Sequence, residues 1–118
     1  MLEEHGTSLS NLMRVNIYVR NMRELAEIER IGAQFFGART PAGTVIGVES
    51  LARRDFFIEI EGITCERGVK AAPADARIAL WGQHVNATRG GDLVFVSGLM
   101  GYAASANRTL STISDLDS

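Results

Sequence analysis

The feature that most constrains the fold is a change of hydrophobic period between residues 12–19 and residues 25–36. In the first segment apolar and polar side chains alternate, which is typical of a half-buried β-strand. The apolar face of this strand comprises Met13, Val15, Ile17 and Val19. In the second segment the apolar residues recur at spacings of three and four, which predicts an amphipathic helix packed on a sheet. The apolar stripe of this helix comprises Leu25, Ile28, Ile31, Phe35 and Phe36.

The ends of this helix are also marked in the sequence. Asn21 is a suitable N-cap, and Glu24 lies three residues later, as in a capping box. Gly37 follows the last apolar residue and predicts the C-terminal end, because glycine readily adopts the backbone conformations found there. The residues that follow, rich in Thr, Pro and Gly, are expected to form a loop.

Two further strands are predicted near residues 44–48 and 56–64, and the second of them alternates strongly. Glu59 and Glu61 lie on one face of that strand. The opposite, apolar face comprises Phe56, Ile58 and Ile60. This strand is therefore expected to bury one side and to present its carboxylates on the other.

The second half of the chain has a different composition and predicts a hairpin. Residues 67–76 are rich in Ala and contain Gly and Pro, so a linker is expected there. Strands at 78–88 and 93–98 follow, joined by a Gly-Gly-Asp turn. The last twenty residues are polar without a regular period and are expected to form loop. Strands outnumber helices, so the predicted fold class is α+β.

Composition excludes several classes of function. The 118 residues suit one modest domain, and a net charge of −2 offers no basic surface for nucleic acid. No apolar run approaches the roughly 20 residues that span a bilayer, so no membrane partner is expected. Cys65 is the single cysteine, which excludes an internal disulfide and favours a cytoplasmic location. The two histidines and this cysteine lie far apart in sequence, so neither a metal site nor a cofactor is expected.

Two motifs resemble those of a known family. Residues 90–98, Gly-Gly-Asp-Leu-Val-Phe-Val-Ser-Gly, are similar to the opening hairpin of the RidA/YjgF family, where a Gly-Asp turn leads into an apolar strand ending in Ser-Gly. Residues 58–63, Ile-Glu-Ile-Glu-Gly-Ile, are similar to the closing strand of that family. The resemblance implies a chorismate-mutase-like mixed sheet packed against helices, a homotrimeric barrel, and a small-molecule cleft between subunits.

The two motifs occur in the reverse of the family's order. Residues 1–66 resemble the back half of the domain and residues 77–118 its front hairpin, with most of the first helix missing. A circular permutant, the junction of two tandem copies and a fragment are all compatible with this order, and we favour the tandem junction. Without that helix, an apolar sheet face would remain for another chain or copy to cover.

The resemblance also implies a site chemistry. In the family an arginine holds the substrate carboxylate by a two-pronged hydrogen bond, and a glutamate helps to position the attacking water. Gly43 stands at the position of that arginine, and Arg39, four residues earlier, is an alternative cation that the spacing disfavours. Glu59 matches the glutamate, although an exposed sheet-face carboxylate explains it equally well. Glu61 is expected to be a surface carboxylate.

Four further residues are placed at the cleft by the same resemblance. His84 stands where many relatives carry a tyrosine, with a hydrogen-bonded structural histidine as the alternative. Ser97 and Gly98 match a ligand contact, and a strand that ends in a tight turn is the alternative. Glu29 replaces a residue that is usually neutral and adds negative charge near the site, which disfavours a carboxylate ligand.

These residues define three functional hypotheses. We favour a small-molecule-binding module, or an enzyme of altered substrate, because a glycine at the arginine position removes positive charge from the cleft. The alternative is a 2-imino acid or enamine deaminase of the RidA type. An endoribonuclease or translation inhibitor, the family's older description, is disfavoured by the acidic balance of the chain.

Overall fold

A computed structural model of the protein describes residues 1–72 and 85–99, together with the backbone of residues 102–103 and 108–109. The strands are β1 (Leu12–Val19), β2 (Ala42–Gly47), β3 (Ile58–Thr64), β4 (Lys70–Ala71), β5 (Ala87–Gly90), β6 (Leu93–Val96), β7 (Tyr102–Ala103) and β8 (Arg108–Thr109). The α-helix α1 spans Leu25–Phe36, and 3₁₀ turns lie at Glu3–His5, Leu9–Asn11 and Met22–Glu24. The predicted α+β class is confirmed. None of the described helices has the length and hydropathy to cross a bilayer.

The centre of the fold is a three-stranded sheet in the order β2-β1-β3. Strand β1 pairs in parallel with β2 and antiparallel with β3. A parallel pair needs a crossover connection, and α1 supplies it. The strand predicted at 12–19 is confirmed, because its alternate residues Met13, Val15, Ile17 and Val19 are buried.

The other two strands of this sheet differ from the predicted bounds. Strand β2 begins at Ala42 because Ala42 and Gly43 already pair with β1, although both residue types are poor strand formers. Strand β3 begins at Ile58, which pairs with Val19 at the end of β1, so Phe56 lies before the strand. Tertiary pairing therefore sets both boundaries.

The residues predicted to end α1 do so, but the predicted capping box at its N-terminal end is incomplete. The Asn21 side chain accepts a hydrogen bond of 3.2 Å from the Arg23 N–H, and a 3₁₀ turn precedes the α-helix. Glu24 contacts the Asn21 side chain at 3.3 Å rather than its backbone, so the capping box is incomplete. Gly37 closes the helix with a φ of 54° and an N–H bond of 3.0 Å to Ala33 O.

The hydrophobic core lies between α1 and the central sheet. Its buried residues are Leu12, Val15, Ile17 and Val19, with Ile28, Phe36 and Val45 packed against them. The apolar stripe of α1 is buried only in part, since Ile31 is 40% and Phe35 is 66% exposed. A helix is about 10 Å across and strands lie about 4.8 Å apart, so one helix covers about two strands. The apolar face of β3 therefore stays largely uncovered by the described residues.

A second small sheet, in the order β4-β5-β6, contains a hairpin in the predicted region. Its strands span residues 87–90 and 93–96 rather than the predicted 78–88 and 93–98, and residues 78–84 of that prediction lie outside the described residues. Strands β5 and β6 are joined at Gly91, whose φ of 56° suits a tight turn that glycine tolerates. Strand β4 lies in the segment predicted as linker, because its backbone supplies partners to the outer edge of β5. Strands β7 and β8 pair within the tail that was expected to be loop, so that expectation was wrong at these four residues.

The hairpin packs directly on the central sheet. The Thr88 hydroxyl donates to Met13 O at 2.6 Å, and the Gly98 N–H donates to Gly43 O at 3.0 Å. A Cβ at Gly90 would lie 2.7 Å from Met13 Sδ, closer than packed atoms approach. The two halves of the sequence therefore meet where β1 and β2 begin.

Candidate ligand-binding site

Three of the predicted ligand residues lie together at the start of β2. Gly43 is buried, and its N–H donates to the Ser97 hydroxyl at 2.9 Å while its carbonyl accepts from Gly98 N at 3.0 Å. The Ser97 hydroxyl in turn donates to Val85 O. Both backbone polar atoms of Gly43 are thus engaged within the protein, as are the proton and one lone pair of the Ser97 hydroxyl.

The approach of Gly98 to β2 depends on its lack of a side chain. A Cβ at this position would lie 2.8 Å from Thr44 Cγ2 and 2.9 Å from Thr44 Oγ1. The Ser-Gly ending of the hairpin is therefore required by packing against β2, whatever else it contributes.

Glu59 lies in a different part of the sheet. Its carboxylate accepts a hydrogen bond of 3.0 Å from the Ala52 N–H and so holds the loop before β3. In the register, Glu59 is opposite Tyr18 and Gly43 is opposite Val15. Because side chains alternate along β1, these two positions are on opposite faces, about 10 Å apart along the strand. Within one chain, Glu59 and position 43 do not face a common ligand.

The remaining predicted site residues are dispersed. Glu29 lines a cavity of about 30 Å³ between α1 and the sheet, together with Thr40 and Val45. Arg39 is exposed and lines a separate cavity of about 310 Å³ beside Thr88. Neither lining includes Gly43. His84 lies outside the described residues.

A polar network that the sequence analysis missed covers the face of the sheet opposite α1. Asn16 Nδ2 donates to Glu61 Oε1 at 2.8 Å, and the Tyr18 hydroxyl donates to the same oxygen at 2.8 Å. Arg14 Nε donates to Asn16 Oδ1 at 3.1 Å. Alternation had already placed the three β1 residues on one face, but the register that brings Glu61 beside them is a tertiary property.

The network shifts the ionisation of its two titratable members. Hydrogen bonds from Asn16 and then from Tyr18 hold the pKa of Glu61 below its ordinary value, with the nearby Arg14 charge acting in the same direction. The hydrogen bond to Glu61 raises the pKa of Tyr18 above its ordinary value. The arrangement therefore favours an ionised Glu61 beside a neutral phenol.

An apolar groove lies on the other face, between α1 and β3. Its volume is about 590 Å³, and it is lined among others by Leu9, Ile31, Phe35, Ile58 and Ile60. Ile60 is 62% exposed here, so the described residues leave this groove open. Among the described residues, no three His, Cys, Asp or Glu side chains are grouped closely enough to hold a metal ion.

The sequence of the chain was compared with those of known protein families. Residues 1–66 match the family described as Endoribonuclease L-PSP. The chain belongs to this family. The resemblance to RidA/YjgF proteins is thereby confirmed, and the reversed order of the halves stays a prediction.

Individual proteins related to this family match about half of the chain. A RutC family protein of Pyrococcus horikoshii is 35% identical over 63 residues, which are 53% of this chain and 49% of that protein. A 2-iminobutanoate/2-iminopropanoate deaminase of Dermatophagoides farinae is 32% identical over 63 residues, which are 53% of this chain and 48% of that protein. The crystal structure of yeast Mmf1 matches with a TM-score of 0.51 at 33% identity, over 53% of this chain and 50% of Mmf1. The chain spans about half the length of these relatives.

Proposed function

We propose that this chain is a RidA/YjgF-type small-molecule-binding module whose cleft takes a ligand other than an α-imino carboxylate. The observation that carries the proposal is the environment of Gly43, which the resemblance assigns to the carboxylate-binding position. That residue is buried, has no side chain, and bonds its backbone to Ser97 and Gly98. A carboxylate would find no guanidinium fork there.

The cleft is proposed to form between copies of the chain. Position 43 and Glu59 face opposite sides of one sheet, so a site that uses both needs a second subunit. The groove beside Phe35 and Ile60 offers an apolar surface for such an assembly. A homotrimer in the cytoplasm is the state that the family resemblance and the single Cys65 favour.

Imine deamination is the second candidate, and the name of the D. farinae relative favours it. Glu59 stands at the family's glutamate position. Loss of a charge-assisted bidentate contact costs about 2–3 kcal/mol, or roughly a hundredfold in kcat/KM. The net charge of −2 argues against the ribonuclease activity that the family description names, because RNA binding needs a basic surface.

Hydrolysis of 2-iminopropanoate, generated in situ, distinguishes the two candidates. We expect the chain to be about a hundredfold or more slower in kcat/KM than the D. farinae enzyme. Gly43→Arg should recover part of the rate, whereas Ala38→Arg, which adds the same charge at an exposed loop position, should not. A wild-type rate equal to that of the relative would overturn the proposal and establish a deaminase.

A further inference from the structure

We propose that the polar face of the central sheet binds a small zwitterion of the amino-acid type, with its carboxylate on Arg14 and its ammonium group on Glu61. This site does not include Gly43, because Arg14 and Glu61 lie on the sheet face opposite to that of Val15, with which Gly43 pairs. The Arg14 guanidinium nevertheless bonds to Thr44 and Val96, which adjoin Gly43 and Ser97 in the chain. None of its residues was assigned a function by the sequence motifs.

Among the described residues, three neutral groups hold the Arg14 guanidinium in place. Its Nε donates to Asn16 Oδ1 at 3.1 Å, Nη1 to Val96 O at 2.6 Å, and Nη2 to Thr44 Oγ1 at 3.1 Å. In the described part of the chain these bonds use three of the five N–H groups and leave one on each terminal nitrogen. Among the described residues, no carboxylate lies within 4.0 Å of this side chain. A positioned guanidinium with free N–H groups matches the two oxygens of a carboxylate.

Glu61 has the complementary arrangement. Its Oε1 accepts both the Asn16 and the Tyr18 hydrogen bonds, each 2.8 Å long. Its Oε2 has no hydrogen-bond partner in the part of the chain that the structure describes. Like any glutamate near its ordinary pKa this carboxyl is ionised at neutral pH, and the hydrogen bonds from Asn16 and Tyr18 lower its pKa further. A charged acceptor with one free oxygen suits an ammonium donor.

Asn16 lies between Arg14 and Glu61 and separates the two charges, so both can bind an external ligand. Its amide accepts from Arg14 through Oδ1 and donates to Glu61 through Nδ2. Arg14 and Glu61 therefore both bond to Asn16 and do not form an ion pair with each other. The cavity here, lined by Arg14, Asn16, Glu61, Gly62 and Ile63, has a volume of about 160 Å³. Pockets for drug-sized ligands have volumes of about 300–1,000 Å³, so this smaller cavity suits a molecule of few heavy atoms.

The test is an NMR titration of the full chain with L-alanine, acetate and methylamine as separate probes. Alanine should shift the Asn16 side-chain amide and the Arg14 Nε–H signals, with an affinity at least about tenfold higher than that of acetate or methylamine. Equal response to all three probes, or no shift at these signals up to the solubility limit of alanine, would overturn the proposal. This measurement needs no variant, so it stands even if a substitution impairs folding.

Variants then assign the two contacts. Arg14→Gln and Glu61→Gln should each weaken alanine binding about tenfold or more, whereas the exposed controls Arg23→Gln and Glu49→Gln should leave it unchanged. Acetate binding should be lost only in Arg14→Gln and methylamine binding only in Glu61→Gln. Retention of alanine binding by folded Arg14→Gln would refute the assignment. Because 2-iminopropanoate hydrolysis is not measured here, failure of this site leaves the proposal for the Gly43 cleft unaffected.

Discussion

Ser97 and Gly43 are joined by a hydrogen bond of 2.9 Å from the Gly43 N–H to the Ser97 hydroxyl, across 54 residues of sequence. Ser97 is only 4% exposed, and its own proton goes to Val85 O. One hydroxyl therefore connects the start of β2, the end of the hairpin and the segment that precedes β5. The bonds of Ser97 therefore hold the hairpin against β2, and substitution of Ser97 tests how much they contribute to stability.

Ser97→Ala should lower the free energy of unfolding by about 1–3 kcal/mol, because it leaves the buried Gly43 N–H without an acceptor. Urea denaturation monitored by circular dichroism measures the change. Ser50→Ala, at an exposed position, is the matched control and should change stability little. A Ser97→Ala protein as stable as wild type would show that this bond contributes nothing to the docking of the hairpin.

Gly98→Ala should also destabilise the protein, by about 1–3 kcal/mol, because the new Cβ would lie 2.8 Å from Thr44 Cγ2. Thr44→Ala removes both Thr44 atoms that the methyl group would meet most closely. In a double-mutant cycle, Gly98→Ala should therefore cost less in the Thr44→Ala background than in wild type. Additive changes in the free energy of unfolding would contradict the packing explanation.

Phe35→Glu should reduce self-association, because it places a charge on an apolar surface that the proposed assembly buries. The molar mass from size-exclusion chromatography with light scattering is the measurement. Gln34→Glu, one residue away and exposed, adds the same charge and should leave the mass unchanged. If wild type is monomeric, or if Phe35→Glu assembles as wild type does, the groove is not the interface.

Tyr18→Phe should raise the pKa of Glu61 toward its ordinary value, because one of the two hydrogen bonds that lower it is removed. A carboxyl with a lowered pKa stabilises the fold above its unfolded-state pKa, and this contribution is lost as the pH falls through the folded-state pKa. Stability should therefore fall less steeply in the acidic range in Tyr18→Phe than in wild type.

Carbon-13 NMR titration of the Glu61 side chain gives the pKa directly. Glu27, whose pKa is lowered by its hydrogen bonds from Arg30 on α1, is the internal control and should titrate identically in both proteins. An unchanged Glu61 pKa in Tyr18→Phe would mean that the phenol hydrogen bond is not maintained in solution.

Some elements of the fold are determined by neighbouring residues, and others by pairing between distant segments. The bounds of β1 and the end of α1 at Gly37 were predicted correctly, because alternation, helical spacing and capping depend on neighbouring residues. Strand β4 was predicted as linker, since what makes it a strand is pairing with residues 88 and 89. The exposure of Phe35 was not predicted either, because a helical stripe does not reveal how much of it a sheet will cover.

The candidate sites likewise combine features that the sequence predicted with features that depend on the tertiary structure. The motifs by themselves determined the family, and they singled out Gly43, Ser97 and Gly98, which the structure brings into contact. Only the tertiary structure decided that Glu59 faces away from position 43, and that Arg14, Asn16 and Glu61 form one network. The physical reason is strand register. A shift of one residue moves every side chain to the opposite face of the sheet, and register is set by pairing between segments far apart in sequence.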